Sequence, residues 1–307
     1  MASEKRQLTE FDIFFLSYDE PNAEKHWADL LDKCPWAKRV HGVKGFDQAH
    51  RACAEQSETD WFITVDADNI VLPSFFDQTV NLDPQKDINK SFSWNALNGI
   101  NGLMYGNGGL KLWSTQFVLN MNSHENSDDP RKAVDFCWEK DYQQVHQTFS
   151  EVWNNGSPYQ AWRVGYREAV KLSLDQGQRV KAAEMKSKLH AVNLRNLRIW
   201  ACVGADVQYG KWAMYGTRFG LMKMIDPHWD YTQIRDYDWF DSEWNFANPE
   251  LFDIKKTATG WTYDEAFLDQ NIRECGDWIE SQTKILFPIL DDKASDFFRE
   301  SFKLRND

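Results

Sequence analysis

Asp66 and Asp68, in the stretch Asp66-Ala67-Asp68-Asn69, are the side chains best placed to do chemistry in this sequence. They close the run Trp61-Phe62-Ile63-Thr64-Val65, which is β-branched or aromatic, holds no turn former, and reads as a buried strand. Alternation along the backbone puts both carboxylates on one side of the chain, where that strand stops. Two hard oxygen donors converging there suit Mg²⁺ or Mn²⁺, and an ion so held can neutralise a nucleotide diphosphate and the charge of its departure. An Asp-X-Asp triplet also occurs in ordinary polar loops, so the elements around it must carry the rest of the reading.

Those elements begin near the N-terminus. Phe11 to Leu16 forms a second strand candidate that runs into the polar turn Ser17-Tyr18-Asp19-Glu20-Pro21-Asn22. A helix then opens at Pro21 or Asn22, with Ala23, Trp27, Leu30 and Leu31 as one apolar stripe, and Cys34-Pro35 ends it. Residues 37 to 43 read as a short strand, and Phe46 to Ser57 as a helix with Phe46, Ala49, Ala52 and Cys53 inward. The order is therefore β-α-β-α-β followed by Asp-X-Asp. Strands and helices alternating at this length predict an α/β fold with a mainly parallel central sheet, right-handed crossovers and ligands beyond the carboxyl ends of the strands. Ser17 to Asp19, Lys44 to Phe46 and Asp66 to Asn69 all fall at that edge.

A nucleotide-binding βαβαβ half that ends in Asp-X-Asp resembles the GT-A glycosyltransferases, a Rossmann-like fold that uses nucleoside diphosphate sugars and a divalent metal. The resemblance implies base and ribose contacts from Ser17, Tyr18 and Asp19, a further nucleotide contact from Lys44, and ribose and metal contacts from Asp66 and Asp68. It also implies a histidine late in the chain as a third metal ligand, for which His228 in Asp226-Pro227-His228-Trp229 is the candidate. No Gly-x-Gly-x-x-Gly turn follows the first strand and no Walker lysine loop is present, which argues against dinucleotide-binding and P-loop alternatives. Ser17 to Asn22, Val40 to Phe46, Met104 to Trp113, Gly156 to Ala161 and Gly165 to Ala169 together look like glycosyltransferases encoded by tailed bacteriophages, some of which modify hydroxylated pyrimidines in phage DNA. That narrower resemblance covers roughly residues 10 to 220 and implies a UDP-sugar donor and a DNA acceptor.

Composition limits these readings. The chain has 307 residues, is 42% hydrophobic and carries a net charge of −12. No run approaches the roughly 20 apolar residues that span a bilayer, and Met1 to Glu10 lacks the apolar segment of a signal peptide, so a cytoplasmic protein without membrane contact is expected. Cys34, Cys53, Cys137, Cys202 and Cys275 are odd in number and lack metal-ligand spacing, as buried thiols would be. The acidic balance opposes nucleic acid, yet from Arg163 to Arg198 nine Lys or Arg face three acids, a local net of +6. That run is either a basic binding strip or a solvated helix surface.

The middle of the chain holds the expected acceptor half. Ser91 to Leu97 reads as a strand, and Tyr105-Gly106-Asn107-Gly108-Gly109 as a glycine turn whose amides, at Asn107 and Gly108, can approach an acceptor hydroxyl or phosphate. Residues 123 to 132 are polar enough for a lid over the donor. Ser157-Pro158 starts a helix that runs through Lys171, with Arg163, Arg167 and Lys171 on one face. Arg167 can reach the diphosphate and Arg163 and Lys171 the acceptor, while Glu168 is either an acid-base group or a salt-bridge partner. Asp135, Glu168 and Asp206 are the candidates for the carboxylate that an inverting transfer needs; a retaining transfer can use the leaving phosphate instead.

Ile225 to Asp253, with eight acids, one arginine and Trp229, Trp239 and Trp244, shows no clear period and reads as an irregular extension, followed by a helix over 262 to 284. A catalytic domain over 1–225, with halves at about 10–75 and 76–225, and a C-terminal extension over 226–307 are expected. The functional expectation is a metal-dependent transfer from a UDP-sugar to a hydroxylated pyrimidine in DNA. A polysaccharide or protein acceptor, or a non-catalytic binding module of the same fold, are the alternatives.

Overall fold

The structure is a computed structural model that describes residues 3–106, 108–129 and 141–303. Asn107 and Asp135 lie outside those residues, as does Cys137. The chain forms two compact units, the first from Met1–Gly99, Met104–Ser127 and Phe136–Trp153, the second from Ile100–Leu103, Asp128–Asp135 and Asn154–Asp307.

In the first unit β1 (Glu4–Gln7) leads to β2 (Asp12–Ser17), α1 (Ala23–Lys33), β3 (Lys38–His41), α2 (Phe46–Gln56) and β4 (Trp61–Asp66), the order expected from hydrophobic periodicity. Then come β5 (Asn69–Val71), β6 (Thr79–Leu82), β7 (Ser91–Asn98), β8 (Met104–Tyr105), β9 (Leu110–Ser114), α3 (Thr115–Asn120) and β10 (Tyr142–Val152). The main sheet has the order β3-β2-β4-β9-β7-β10-β5, with β8 beside β7. Strands β3, β2 and β4 are mutually parallel, and β10 is parallel to β7. However, β9 runs antiparallel to both β4 and β7, and β5 antiparallel to β10, so the sheet is mixed rather than mainly parallel. The cause is connection length: β7, β8 and β9 follow one another through short turns, and without a crossover helix the chain can only return antiparallel. One face buries Phe15, Ile63, Val65 and Leu112, the other Phe14, Phe62, Trp113 and Cys53.

The second unit is helical, with α4 (Pro158–Leu172), a hairpin of β11 (Leu174–Asp175) and β12 (Gln178–Arg179), then α5 (Met185–Lys188), α6 (Ala191–Cys202) and α7 (Gly210–Ile225). It continues with α8 (Tyr237–Leu251), a second hairpin of β13 (Lys255–Thr257) and β14 (Gly260–Thr262), α9 (Glu265–Thr283) and α10 (Asp292–Lys303). Much of the stretch expected to be irregular is therefore helix α8, capped by the Asp236 side chain, which accepts from the Asp238 amide at 2.9 Å. Its inward stripe is Phe240, Trp244 and Asn248; a buried asparagine and the exposed Phe246 and Leu251 blur the period. Along α9, Leu268, Ile272 and Ile279 point inward while Trp278 is exposed.

Two features hold this unit. Helices α4 and α7 meet through glycine: a Cβ on Gly165 would lie 2.1 Å from the Ala213 carbonyl oxygen, and one on Gly216 2.0 Å from that of Trp162. Arg218 on α7, fully buried, donates to the carbonyls of Ala201 (3.0 Å), Ile272 (2.7 Å), Phe287 (2.9 Å) and Pro288 (3.3 Å). Among the described residues no helix is long and apolar enough to cross a membrane, and Cys34, Cys53, Cys202 and Cys275 are free thiols. Replacing Gly216 by Ala must push α4 and α7 apart, and a loss of about 1–3 kcal/mol is expected in urea unfolding of the full chain. An unchanged midpoint would mean that the helices separate without cost.

Candidate active site

Asp66 is the last residue of β4, level with Leu16 of β2 in the parallel register. On its other side the Asp66 amide donates to the Gly109 carbonyl at 3.0 Å, continuing the β4–β9 ladder into the glycine turn. That approach explains Gly109, where a Cβ would sit 2.3 Å from the Cβ of Asp66. Gly108 and Gly106 are likewise needed for space, a Cβ there falling 2.7 Å from the Trp94 carbonyl and 2.1 Å from Gln144 Oε1; none of the three has a positive φ. The turn is therefore packed into the sheet, and the Gly108 carbonyl accepts from Lys111 Nζ at 2.9 Å.

The loop that carries Asp68 is pinned at each residue. His26 on α1 is buried and held neutral, its pKa lowered by burial, and its Nδ1–H donates to the Ala67 carbonyl at 2.7 Å. The Asp68 carbonyl accepts from the Trp153 amide at 2.7 Å, and its Oδ1 from Asn69 Nδ2 at 2.7 Å. Asn69 is in turn held by the Ser150 hydroxyl at 3.0 Å. His26 escaped the sequence reading because it falls within the apolar stripe of α1, where a histidine reads as packing; Asn69 and Ser150 meet only through the β5–β10 pairing.

Charge is crowded here. Desolvation raises the pKa of Asp66, opposed by Lys111, whose Nζ is 4.0 Å from Asp66 Oδ2. The Asp66 side chain keeps 41% of its exposure, so water moderates that shift. Asp68 is also raised, by desolvation first and then by repulsion from Asp66 and Glu20. Glu20 is raised by burial and by Asp19 and Asp66, despite accepting from the Tyr18 amide at 2.7 Å. Three acids thus act on one another, with the Lys111 ammonium close to Asp66, and a hard divalent cation would relieve their repulsion. Among the described residues no group of three or more His, Cys, Asp or Glu is arranged to hold a metal ion.

The neighbouring strand ends complete the edge. Ser17 Oγ bonds His41 Nδ1 at 2.9 Å and accepts from Arg39 Nε at 2.9 Å, and Arg39 forks onto Glu24 at 2.7 and 3.1 Å. Tyr18, Asp19 and Lys44 are exposed beyond it. Gly45, at φ +94°, starts α2, and buried Asp47 accepts from the Ser123 amide (3.1 Å) and Asn126 Nδ2 (2.6 Å). The expected lid is therefore anchored over Ser123 to Asn126; residues 130 to 132 lie outside the described ones.

The remaining candidates sit in the second unit. Glu168 is buried and paired with Lys171 at 3.0 Å. The Arg163 guanidinium lies over Tyr159 (5.1 Å) and Tyr237 (4.6 Å), and Arg167 donates to the Tyr237 hydroxyl at 2.6 Å. Arg179 is taken up by the carbonyls of Asp226 and Trp229 and Lys188 by Glu184, which leaves Lys181, Lys186, Arg195 and Arg198 as exposed cations of the basic run, spread over several elements rather than one strip, with Arg195 bonded to the Asn196 side chain. His228 is exposed in a turn where its amide donates to Asp226 Oδ1 at 2.9 Å. Asp206 pairs with Arg299 through Oδ2 and lines an open cavity of about 440 Å³ between the α7 entry loop and the β13–β14 hairpin.

None of the known protein families and none of the curated proteins matches the sequence. Among solved structures, the chain is similar to one described as a glycosyltransferase involved in the glycosylation of the major capsid of PBCV-1. The identity is 10%, over 46% of this chain and 92% of that one, with a TM-score of 0.28, an overlap too slight to fix the fold.

A raised pKa on Asp68 means that the folded, metal-free chain binds more protons than the unfolded one above the ordinary Asp value of about 3.9, so stability falls as pH rises from there through the raised pKa. Thermal unfolding without metal should show that decline, Asp68→Asn should flatten it, and Mn²⁺ should restore stability at the high-pH end only in the parent. Identical pH profiles for parent and variant would remove Asp68 from the crowded charge.

Proposed function

We propose that this protein transfers a sugar from a nucleoside diphosphate sugar, a uridine one, to a hydroxyl group. The observation that carries the reading is the Asp66–Asp68 pair, desolvated and mutually repelling at the carboxyl end of β4, beside the parallel ends of β2 and β3. Asp66 and Asp68 would hold Mg²⁺ or Mn²⁺, which when bound supplies positive charge for the leaving diphosphate. Ser17, Tyr18, Asp19 and Lys44 would receive base and ribose at the neighbouring strand ends. His26 fixes the backbone at Ala67 and Asn69 the Asp68 carboxylate, so that little reorganisation of that loop is needed when charge develops. Arg163, Arg167, Lys171 and His228 belong to the second unit. Glu168 and Asp206 are each committed to an ion pair, which must open before either takes the acceptor's proton.

For the acceptor, a hydroxylated pyrimidine in DNA is supported by the exposed Lys181, Lys186 and Arg198, and its base would have to leave the helix at roughly a few kcal/mol. A glycan or protein acceptor is favoured by the polar, aromatic cavity beside Asp206.

The deciding experiment offers UDP-sugars with Mn²⁺ or Mg²⁺ to duplex DNA containing 5-hydroxymethylcytosine and, separately, to oligosaccharides, with mass spectrometry of the products. A metal-dependent hexose or pentose increment is expected, reduced at least a hundredfold by Asp68→Ala. Equal metal-dependent UDP-sugar binding by that variant would sink the proposed metal site, and binding without turnover on any acceptor would leave a binding module. If DNA is the acceptor, charge reversal at Lys181, Lys186 and Lys188 should flatten the salt dependence of DNA binding. An unaltered slope would assign those residues to a solvated surface.

A further inference from the structure

The cavity of about 440 Å³ in the second unit is built from segments far apart in sequence. Asp206 comes from the loop before α7, Thr257 and Trp261 from the β13–β14 hairpin, Tyr263 and Glu265 from the start of α9, and Asp292 from α10. The hairpin is fixed to that loop, because the Trp261 amide donates to the Tyr209 hydroxyl at 3.0 Å, and a Cβ at Gly260 would lie 2.8 Å from the same oxygen. Tyr263 is held against Trp212, with ring centroids 5.2 Å apart. The walls are thus formed before any ligand arrives.

Its chemistry is selective. Three acids line it against one base, Lys211, and Lys211 is engaged by Asp269 at 3.0 Å, so phosphates and other anions are disfavoured. Half-buried indole and phenol rings offer apolar faces with a polar edge. Asp206 is committed to Arg299 through Oδ2 and its Oδ1 is sealed from solvent, so the exposed Glu265 carboxylate is the acceptor that a ligand hydroxyl can reach.

We propose that this cavity binds a neutral carbohydrate, with sugar rings lying on Trp261 and Tyr263 and hydroxyls donating to Glu265. Binding there needs nothing from Asp66 or Asp68.

The test is saturation-transfer NMR on the full chain with cellohexaose and mannohexaose, alongside a heparin hexasaccharide and spermine as anionic and cationic probes. Transfer to a neutral hexasaccharide is expected, with its Kd raised at least tenfold by Trp261→Ala and severalfold by Glu265→Gln, an exposed position chosen because the fold does not lean on it. Asp66→Ala should leave that Kd unchanged while abolishing Mn²⁺-dependent UDP binding, so the two sites fail separately. No transfer to either neutral sugar, transfer undiminished in both variants, or transfer only to spermine or heparin would overturn the proposal.

Discussion

Crowding carboxylates at one strand end is the constraint that organises the first unit. Asp66 ends a strand whose other residues are buried, Asp68 follows two residues later, and both act on Glu20 or on each other, with Lys111 close to Asp66. Such crowding of like charge costs energy, which under the proposed function a divalent ion would offset. Everything around the loop works to stop the carboxylates from turning away to escape one another. Gly109 lets the backbone of the next strand close against Asp66, His26 takes the Ala67 carbonyl, and Ser150 fixes Asn69 against Asp68.

The β2–α1–β3–α2–β4 stretch was legible in the sequence because each element has one buried face and a clear stop. Strand direction was not, since an alternating pattern is the same read either way; only the short links around β8 show that β9 must return antiparallel. The carboxylates were legible as a motif, whereas the residues that hold them were not. His26 looks like one more position on a helix stripe, and Lys111 like an outward residue of a strand.

The basic run shows the same limit from the other side. Nine cations between Arg163 and Arg198 look like one surface in sequence. In the folded chain Arg163 and Arg167 stack on Tyr237, and Arg179 reaches carbonyls at 226 and 229, partners about 50 to 70 positions away. Local charge counts cannot anticipate partners at that separation. The aromatic content is explained by the second unit, where Trp162, Tyr166, Trp212, Phe240 and Trp244 pack edge to face around the glycine contact of α4 and α7.

Arg218 sets a timetable for biosynthesis. Its guanidinium donates to carbonyls of Ala201, Ile272, Phe287 and Pro288, the last 70 residues downstream. At about 5–20 residues per second, a ribosome needs roughly 4 to 14 seconds after adding Arg218 before that last carbonyl exists. Until then the charge must stay in water, and α7 cannot bury its central turn. The second unit therefore closes late, after synthesis has passed Pro288, while the strands that carry Asp66 and Asp68 are already made.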